Sequence, residues 1–436
     1  PAFFIGSGAF FRLRDKYMTP KVRFSWMSSV VLASWLGCST LIPSTGFAAE
    51  AAQTEAPKMT VEVLQVIKKA QEAIQGKRYD DALVALSSIR GKTDLNITER
   101  DAMERLLVTA WLAQKMYAAA IPSMEWLVSS TTMTDKDKMP LLENLVAASL
   151  GAKDFPRATR WSRECLQAGC SNPNKMATIL VQSLQTQGLH KEVIEEVQKS
   201  LAAMQASPGK ARKVGEEELR AMASSQAKLK DMNGYYQSLQ LLVRDYPNKD
   251  YWMDLLARVM QQAHVNPRFE VEVYRLIQET GNLQEPGDYY TYAQLALKAG
   301  FPQEARSVLA QGQAAKVFPG DVPPADLNQL QKEVQRAADE DSKGLENLRK
   351  TAQTANQWVD LGNVLFSTQQ WTAAADAFDK GLALGGVKRE TDARLHLGIA
   401  RFKAGQLDQA RQALSQTGAE TQALADLWLM LLNAKP

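Results

Sequence analysis

The sequence predicts an all-α protein built as an array of stacked helix hairpins, and three observations predict it. Alanine, leucine, glutamine, glutamate and lysine dominate the composition, and no long Val/Ile/Thr alternation supports a strand. Gly and Pro fall mostly between apolar segments instead of inside them, where they would break a helix. A single unit then returns along most of the chain: a helix with large residues on one face, a turn often holding Gly, and a second helix with a small residue, usually Ala, four places before a large one. At 436 residues the chain exceeds one ordinary core, and an array absorbs that length without needing one.

The first 48 residues stand apart. They hold Arg12, Arg14, Lys16, Lys21 and Arg23 against one acid, Asp15. From Met18, Lys21 and Arg23 lead into an apolar stretch from Trp26 to Ile42, and Gly46-Phe47-Ala48 places small residues at the two positions a signal peptidase reads. Residues 18–48 therefore read as a signal peptide cleaved after Ala48, which makes the mature chain exported and periplasmic. Residues 1–17 read as an upstream extension with no function assigned. Ser28, Ser29, Ser34, Cys38 and Pro43 leave the stretch too polar for a membrane span of about 20 apolar residues. The alternative is a lipoprotein signal at Trp35-Leu36-Gly37-Cys38, with Cys38 lipidated and the protein held at a membrane, although Trp stands where such signals prefer Leu. After residue 48, 46 Lys+Arg face 47 Asp+Glu. Without a basic surplus, nucleic acid drops out of the partners. Residues 49–58, rich in Ala, Glu, Gln and Thr, form a flexible linker with nothing large to bury.

The clearest copy of the unit runs Trp358, Leu361, Gly362, Leu365, then Trp371, Ala374, Phe378 and Gly381. The next holds Leu397, Gly398, Gly405, Leu407, Ala410 and Leu414, so that Gly398 follows Gly362 by 36 residues. These copies closely resemble the tetratricopeptide repeat (TPR), whose period is about 34. Gly362 and Gly398 let two helices approach, Ala374 and Ala410 do the same from the second helix, and large residues fill the gaps. Earlier copies are looser: Tyr79, Ala82 and Leu86; Leu107, Trp111, Tyr117, Ala120 and Met124; Leu145, Phe155 and Ala158; Leu180, Leu184, Gly188, Val193 and Val197. A fifth passes through Met222, Leu229, Tyr235, Leu239 and Leu242 to Pro247, and further units run through Trp252 to Leu276 and Tyr289 to Leu309. The resemblance implies a right-handed superhelical solenoid whose first helices line a concave, protein-binding groove. Tyr251 to Arg258, Ala299-Gly300-Phe301-Pro302 and Leu395 to Ala400 further resemble exported bacterial repeat proteins, some of which accompany TonB-type systems.

Two segments interrupt the period. Ala203 to Glu216 is polar and reads as a loop or helix extension. Val317 to Pro324, with Pro319, Gly320, Pro323 and Pro324, is the strongest punctuation after the leader, and Ala325 to about Lys350 reads as one long charged helix. The expected organisation is a degenerate array over 59–316, the break and long helix over 317–352, and C-terminal repeats over 353–436.

Chemistry is sparse. His190, His264 and His396 lie on different units; there is no HExxH, CxxC, phosphate loop or GxSxG, and carboxylates on amphipathic helices read as solvated faces. No catalytic residue, cofactor or metal is assigned. Trp111, Trp358, Trp371, Tyr79 and Tyr117 occupy repeat-defining positions and read as scaffold. First-helix residues pointing away from their partner helices should line the groove: Arg105, Thr109, Gln182, Arg220, Tyr290, Gln294 and Asn363. Cys165 and Cys170 flank Gly169 at a helix end; in a Schellman cap their side chains touch, either as a disulfide or as two free thiols. The function expected is a non-catalytic scaffold for envelope or periplasmic protein partners. The alternatives are a membrane-anchored assembly factor and a helical-array enzyme acting on cell-wall glycan.

Overall fold

The computed structural model describes residues 58–263 and 267–434. The segments expected as extension, signal peptide with Cys38 and Ala48, and most of the linker, together with His264, lie outside the described residues. Among the described residues every regular element is helical, with 20 α-helices and a short 3-10 turn at Pro267–Phe269. The all-α hairpin array is therefore the fold. The chain divides into two compact units that meet in sequence between Asp231 and Met232.

The first unit holds α1 (Val61–Gln75), α2 (Tyr79–Arg90), α3 (Ile97–Ala113), α4 (Tyr117–Ser129), α5 (Asp135–Gly151), α6 (Phe155–Ala168), α7 (Pro173–Thr186), α8 (His190–Ala206) and α9 (Glu216–Lys228). Just before α1, Thr60 donates through its backbone N–H and its hydroxyl to Glu99 Oε1, at 2.7 and 2.8 Å. Glu99 also closes the capping box on Asn96 that starts α3. Consecutive helices pack as antiparallel neighbours, and α1 also packs on α3 and α7 on α9, so first helices succeed one another. The buried small residues Ala82, Ala120 and Ala158 sit at the close approaches.

The hairpin turns share one geometry that only some sequences announce. Lys77, Lys115, Lys153, Lys230, Lys316 and Gln369 adopt left-handed φ of 56 to 60°, at the place where Gly188, Gly300 and Gly405 stand in other turns. At Lys115, for example, the N–H bonds Leu112 O and the following Met116 N–H reaches back to Trp111 O, which is the Schellman pattern.

The second unit holds α10 (Met232–Asp245), α11 (Lys249–Ala263), α12 (Glu270–Glu279), α13 (Pro286–Lys298), α14 (Pro302–Ala314), α15 (Pro324–Thr351), α16 (Ala355–Ser367), α17 (Trp371–Leu384), α18 (Glu390–Lys403), α19 (Leu407–Ser415) and α20 (Gln422–Ala434). Its best repeats fit as their sequence implies. A Cβ added at Gly362 would lie 2.7 Å from Phe378 Cδ1, and one at Gly398 would lie 2.6 Å from Leu414 Cδ2.

Two features differ from the sequence expectation. The segment at Val317 to Pro324 is no boundary, because Phe318 packs edge-on against Tyr289 with centroids 6.3 Å apart and fills the space left by Gly312. The hairpin expected from Met222 to Leu242 instead straddles the division, with α9 in the first unit and α10 in the second. The second unit also closes on itself: α10 and α12, near its start, pack against α20 at its end.

Candidate functional site

The closure of the second unit brings α12 onto the inner face of the C-terminal repeats. Every residue from Val271 to Ile277 is buried, including Glu272 and Arg275. Arg275 engages Glu304 of α14 through two parallel bonds, Nε to Oε1 at 2.8 Å and Nη2 to Oε2 at 2.7 Å, and its Nη1 contacts Glu272. Its guanidinium lies 4.4 Å from the Phe301 ring centroid and 4.8 Å from that of Phe366. A planar, weakly hydrated cation suits this combination of bidentate carboxylate and aromatic faces.

His396 of α18 joins the cluster from the other side. Its Nε2 is 3.0 Å from Glu272 Oε1, and its Nδ1 is 3.0 Å from Asn363 Oδ1. Tyr292 of α13 donates to Glu304 Oε1 at 2.7 Å. Burial alone would raise the Glu272 carboxyl, but Arg275 and His396 outweigh it and hold the group down at about 2. Burial and the Glu304 charge push the Tyr292 phenol well up. The two carboxylates thus share one guanidinium, and Glu272 Oε2 is buried without a hydrogen-bond partner.

Beside this cluster lies a cavity of ≈ 360 Å³, bordered by α12, α13, α14, α16, α17, α18 and α20. Gln278 donates to Gln311 at 2.8 Å, and Gln311 and Gln369 each donate to the Ser307 hydroxyl at 3.3 Å. Lys403 pairs with Glu279 at 2.6 Å and lies 5.7 Å from the Trp371 ring centroid. Among the described residues no group of His, Cys, Asp and Glu is arranged to hold a metal.

No family model matches the chain, and no curated protein matches it. Among solved structures it is similar to yeast Tom70, at 11% identity over 85% of this chain and 95% of that one, with a TM-score of 0.23. It is similar to a structure of Naa15/Naa10 bound to HypK-THB at 11% identity over 82% of this chain and 63% of that one, with a TM-score of 0.25. A third is the APC/C hetero-tetramer Cut9–Hcn1, at 14% identity over 86% and 84% of the two chains, with a TM-score of 0.19. Scores this low say nothing about sites or partners.

The residues expected to line a groove are distributed differently in the two units. In the first, Arg105, Thr109 and Gln182 are exposed and Arg220 is half-buried. Arg105 pairs with Asp101 at 2.6 Å and Arg220 with Glu217 at 2.9 Å, each within its own helix. In the second, Gln294 donates to Tyr290 at 3.0 Å. Burial, together with Asp326 and Glu333 of α15, raises the Tyr290 phenol. Asn363 is half-buried and committed to His396, inside the cluster.

Cys165 and Cys170 are both buried free thiols across a left-handed Gly169 with φ 82°, and Cys170 N–H bonds Cys165 O at 3.0 Å. Burial and the neighbouring Cys170 thiol push the Cys165 thiol up, away from the reactive thiolate.

Sequence reading missed the Arg275 cluster because its members lie far apart: Glu272 and His396 are separated by 124 residues. Nothing local distinguishes Glu272 or Glu304 from a solvated carboxylate. Trp371, expected as scaffold, is half-buried and also borders the cavity.

Proposed function

We propose that the chain is a non-catalytic, exported scaffold that binds a protein partner along the first helices of its first unit. The observation that carries this reading is the contrast between the units. On α3 and α7, Arg105, Thr109 and Gln182 are exposed, and the one ion pair among them, Arg105 with Asp101, lies within α3, so a partner could take them without unpacking the core. In the second unit the corresponding inner face is taken up by the chain's own α12. Export and a periplasmic or envelope partner, including one of a TonB-type assembly, rest on the leader of residues 18–48. Lipidation of Cys38 would add a membrane anchor, which intact-mass measurement of the mature protein distinguishes.

The enzyme reading is disfavoured by the state of the clustered carboxylates. Glu272 and Glu304 both bond the same guanidinium of Arg275, which holds each carboxylate as a salt-bridge partner and not as a separate general acid or nucleophile. Crosslinking in intact cells, comparing wild type with Arg105→Glu/Arg220→Glu, tests the scaffold reading. A specific envelope protein captured by the wild type should be lost from the variant. Equal capture by both would remove these helices from the interface.

A further inference from the structure

We propose that His396 is held as the imidazolium, and that its proton latches α12 onto the C-terminal repeats as a pH-sensitive clamp inside the second unit. The bonds of the ring carry the assignment. Nε2 lies 3.0 Å from Glu272 Oε1 and Nδ1 lies 3.0 Å from Asn363 Oδ1, so both nitrogens face oxygens that accept. A neutral imidazole has one N–H and can answer only one of them, whereas the imidazolium donates from both.

The balance of charge leads to the same state. Glu272 and Glu304 set two carboxylates against the single guanidinium of Arg275, and Glu272, Arg275 and His396 are all buried. Lys403 and Glu279 pair with each other at the cavity, so the surplus carboxylate is not met from there. An unmatched charge in such a place is costly, and a proton on His396 brings the cluster to two acids and two bases. The rings of Phe366, Phe301 and Phe378 stand 5.2, 5.4 and 5.9 Å from the imidazole between centroids, a range at which aromatic rings favour a cation. The opposing influence is Arg275, whose Nη1 lies 3.3 Å from His396 Nε2, but its charge is already shared between the two carboxylates. The contacts that α16 and α17 make with the ring, through Asn363, Phe366 and Phe378, are neutral, and Tyr292 of α13 reaches the cluster as a phenol donating to Glu304.

The bond between Glu272 and His396 joins α12 to α18 across 124 residues of sequence. Its strength therefore depends on a proton that the unfolded chain holds less tightly. The contribution is fully present below the ordinary histidine value of about 6.5 and is lost as the folded ring gives up its proton on raising the pH. Without that proton, Glu272 and Glu304 are left with one cation between them, and one ring nitrogen faces an oxygen with no hydrogen to offer. The element this loosens first is α12, which carries both Glu272 and Arg275. The clamp lies wholly within the second unit and stands independently of the protein-binding helices of the first.

The test is histidine-selective nitrogen NMR on the intact chain, with the three rings told apart by His190→Gln, His264→Gln and His396→Gln. At about pH 7.5, a unit above the ordinary histidine value, both ring nitrogens of His396 should carry a proton. Glu272→Gln removes the carboxylate and should return the ring to a single N–H at that pH, a change that a purely steric role for the ring would not give. Hydrogen exchange then reads the latch. Over the pH range in which the ring loses its proton, protection factors in α12 should fall about tenfold relative to those of α1–α9. His396→Gln should abolish that pH dependence, and if it folds poorly the wild-type titration and Glu272→Gln decide the matter, with the ring assigned from the other two variants. A neutral His396 in the wild type at about pH 7.5 would overturn the proposal. So would an imidazolium undisturbed by Glu272→Gln, or α12 protection that stays level while the ring deprotonates.

Discussion

Asp254 and Glu272 are acids of the same unit driven in opposite directions by their surroundings. Asp254 of α11 is pushed up to about 6, chiefly by burial and further by Asp250, against a hydrogen bond from Tyr235. Glu272 is held at about 2 by Arg275 and His396, despite burial. For Asp254 the folded state binds the proton more tightly, so its contribution is fully present below the ordinary 3.8 and is lost as pH rises through 6. For Glu272 the contribution is present above the ordinary 4.5 and is lost as pH falls toward 2. Asp254→Asn should therefore stabilise the second unit at about pH 8 by on the order of 1 kcal/mol and have little effect at about pH 3. Glu272→Gln should destabilise it by about 2–3 kcal/mol at neutral pH and flatten its acid sensitivity. Denaturant unfolding across that pH range, followed by a probe in the second unit, reads both. Neither environment was legible in the sequence. Glu272 and Arg275 stand three apart on α12, a pairing the spacing allows, but the burial of the pair and the histidine that completes it arrive from α14 and α18, which no local spacing connects.

At the scale of the helix, the C-terminal repeats were legible because their signals are steric and local. Gly362 and Gly398 stand where a helix is met by a large side chain, Phe378 or Leu414, and no Cβ fits there. Gly362→Leu should cost about 1–3 kcal/mol or more by overpacking. Gly344 gives the opposite expectation. It lies inside the long α15 with nothing within 4 Å of an added Cβ, so Gly344→Ala should gain about 0.5–1 kcal/mol from helix propensity alone. Thermal melts of the two variants, shifted in opposite directions, would check that packing and not glycine itself decides the sign. The hairpin turns were only partly legible. Gly188, Gly300 and Gly405 declare a left-handed position, while Lys77, Lys115 and Lys153 adopt the same backbone behind a side chain that gives no hint of it. The groove residues divide on the same principle. Exposure of Arg105 and Thr109 follows from the periodicity of α3, but Asn363 meets the same rule and is nevertheless captured by a histidine from α18.

At the scale of the molecule, the sequence marks a boundary where the structure has none, and it hides the real one. Val317 to Pro324 looks like a division because Pro and Gly halt a helix, yet a halt says nothing about whether the next helix packs back, and here α15 does, on α14. The division at Asp231 follows a Lys230 turn of the same kind as those inside ordinary hairpins, so no residue betrays it. Closure of the second unit was equally invisible, because it depends on helices at its two ends meeting. That closure has a measurable consequence. In an open array each repeat depends only on its neighbours, and a defect in the last helix would loosen only the adjoining ones. Here α20 also supports α10 and α12. Leu427→Ala removes a fully buried side chain from α20 and should cost about 2–5 kcal/mol. Hydrogen exchange should then accelerate in α10 and α12 as well as in α18 and α19, with α1–α9 as the internal reference. Acceleration confined to α18 and α19 would mean that the ends of the second unit do not hold each other.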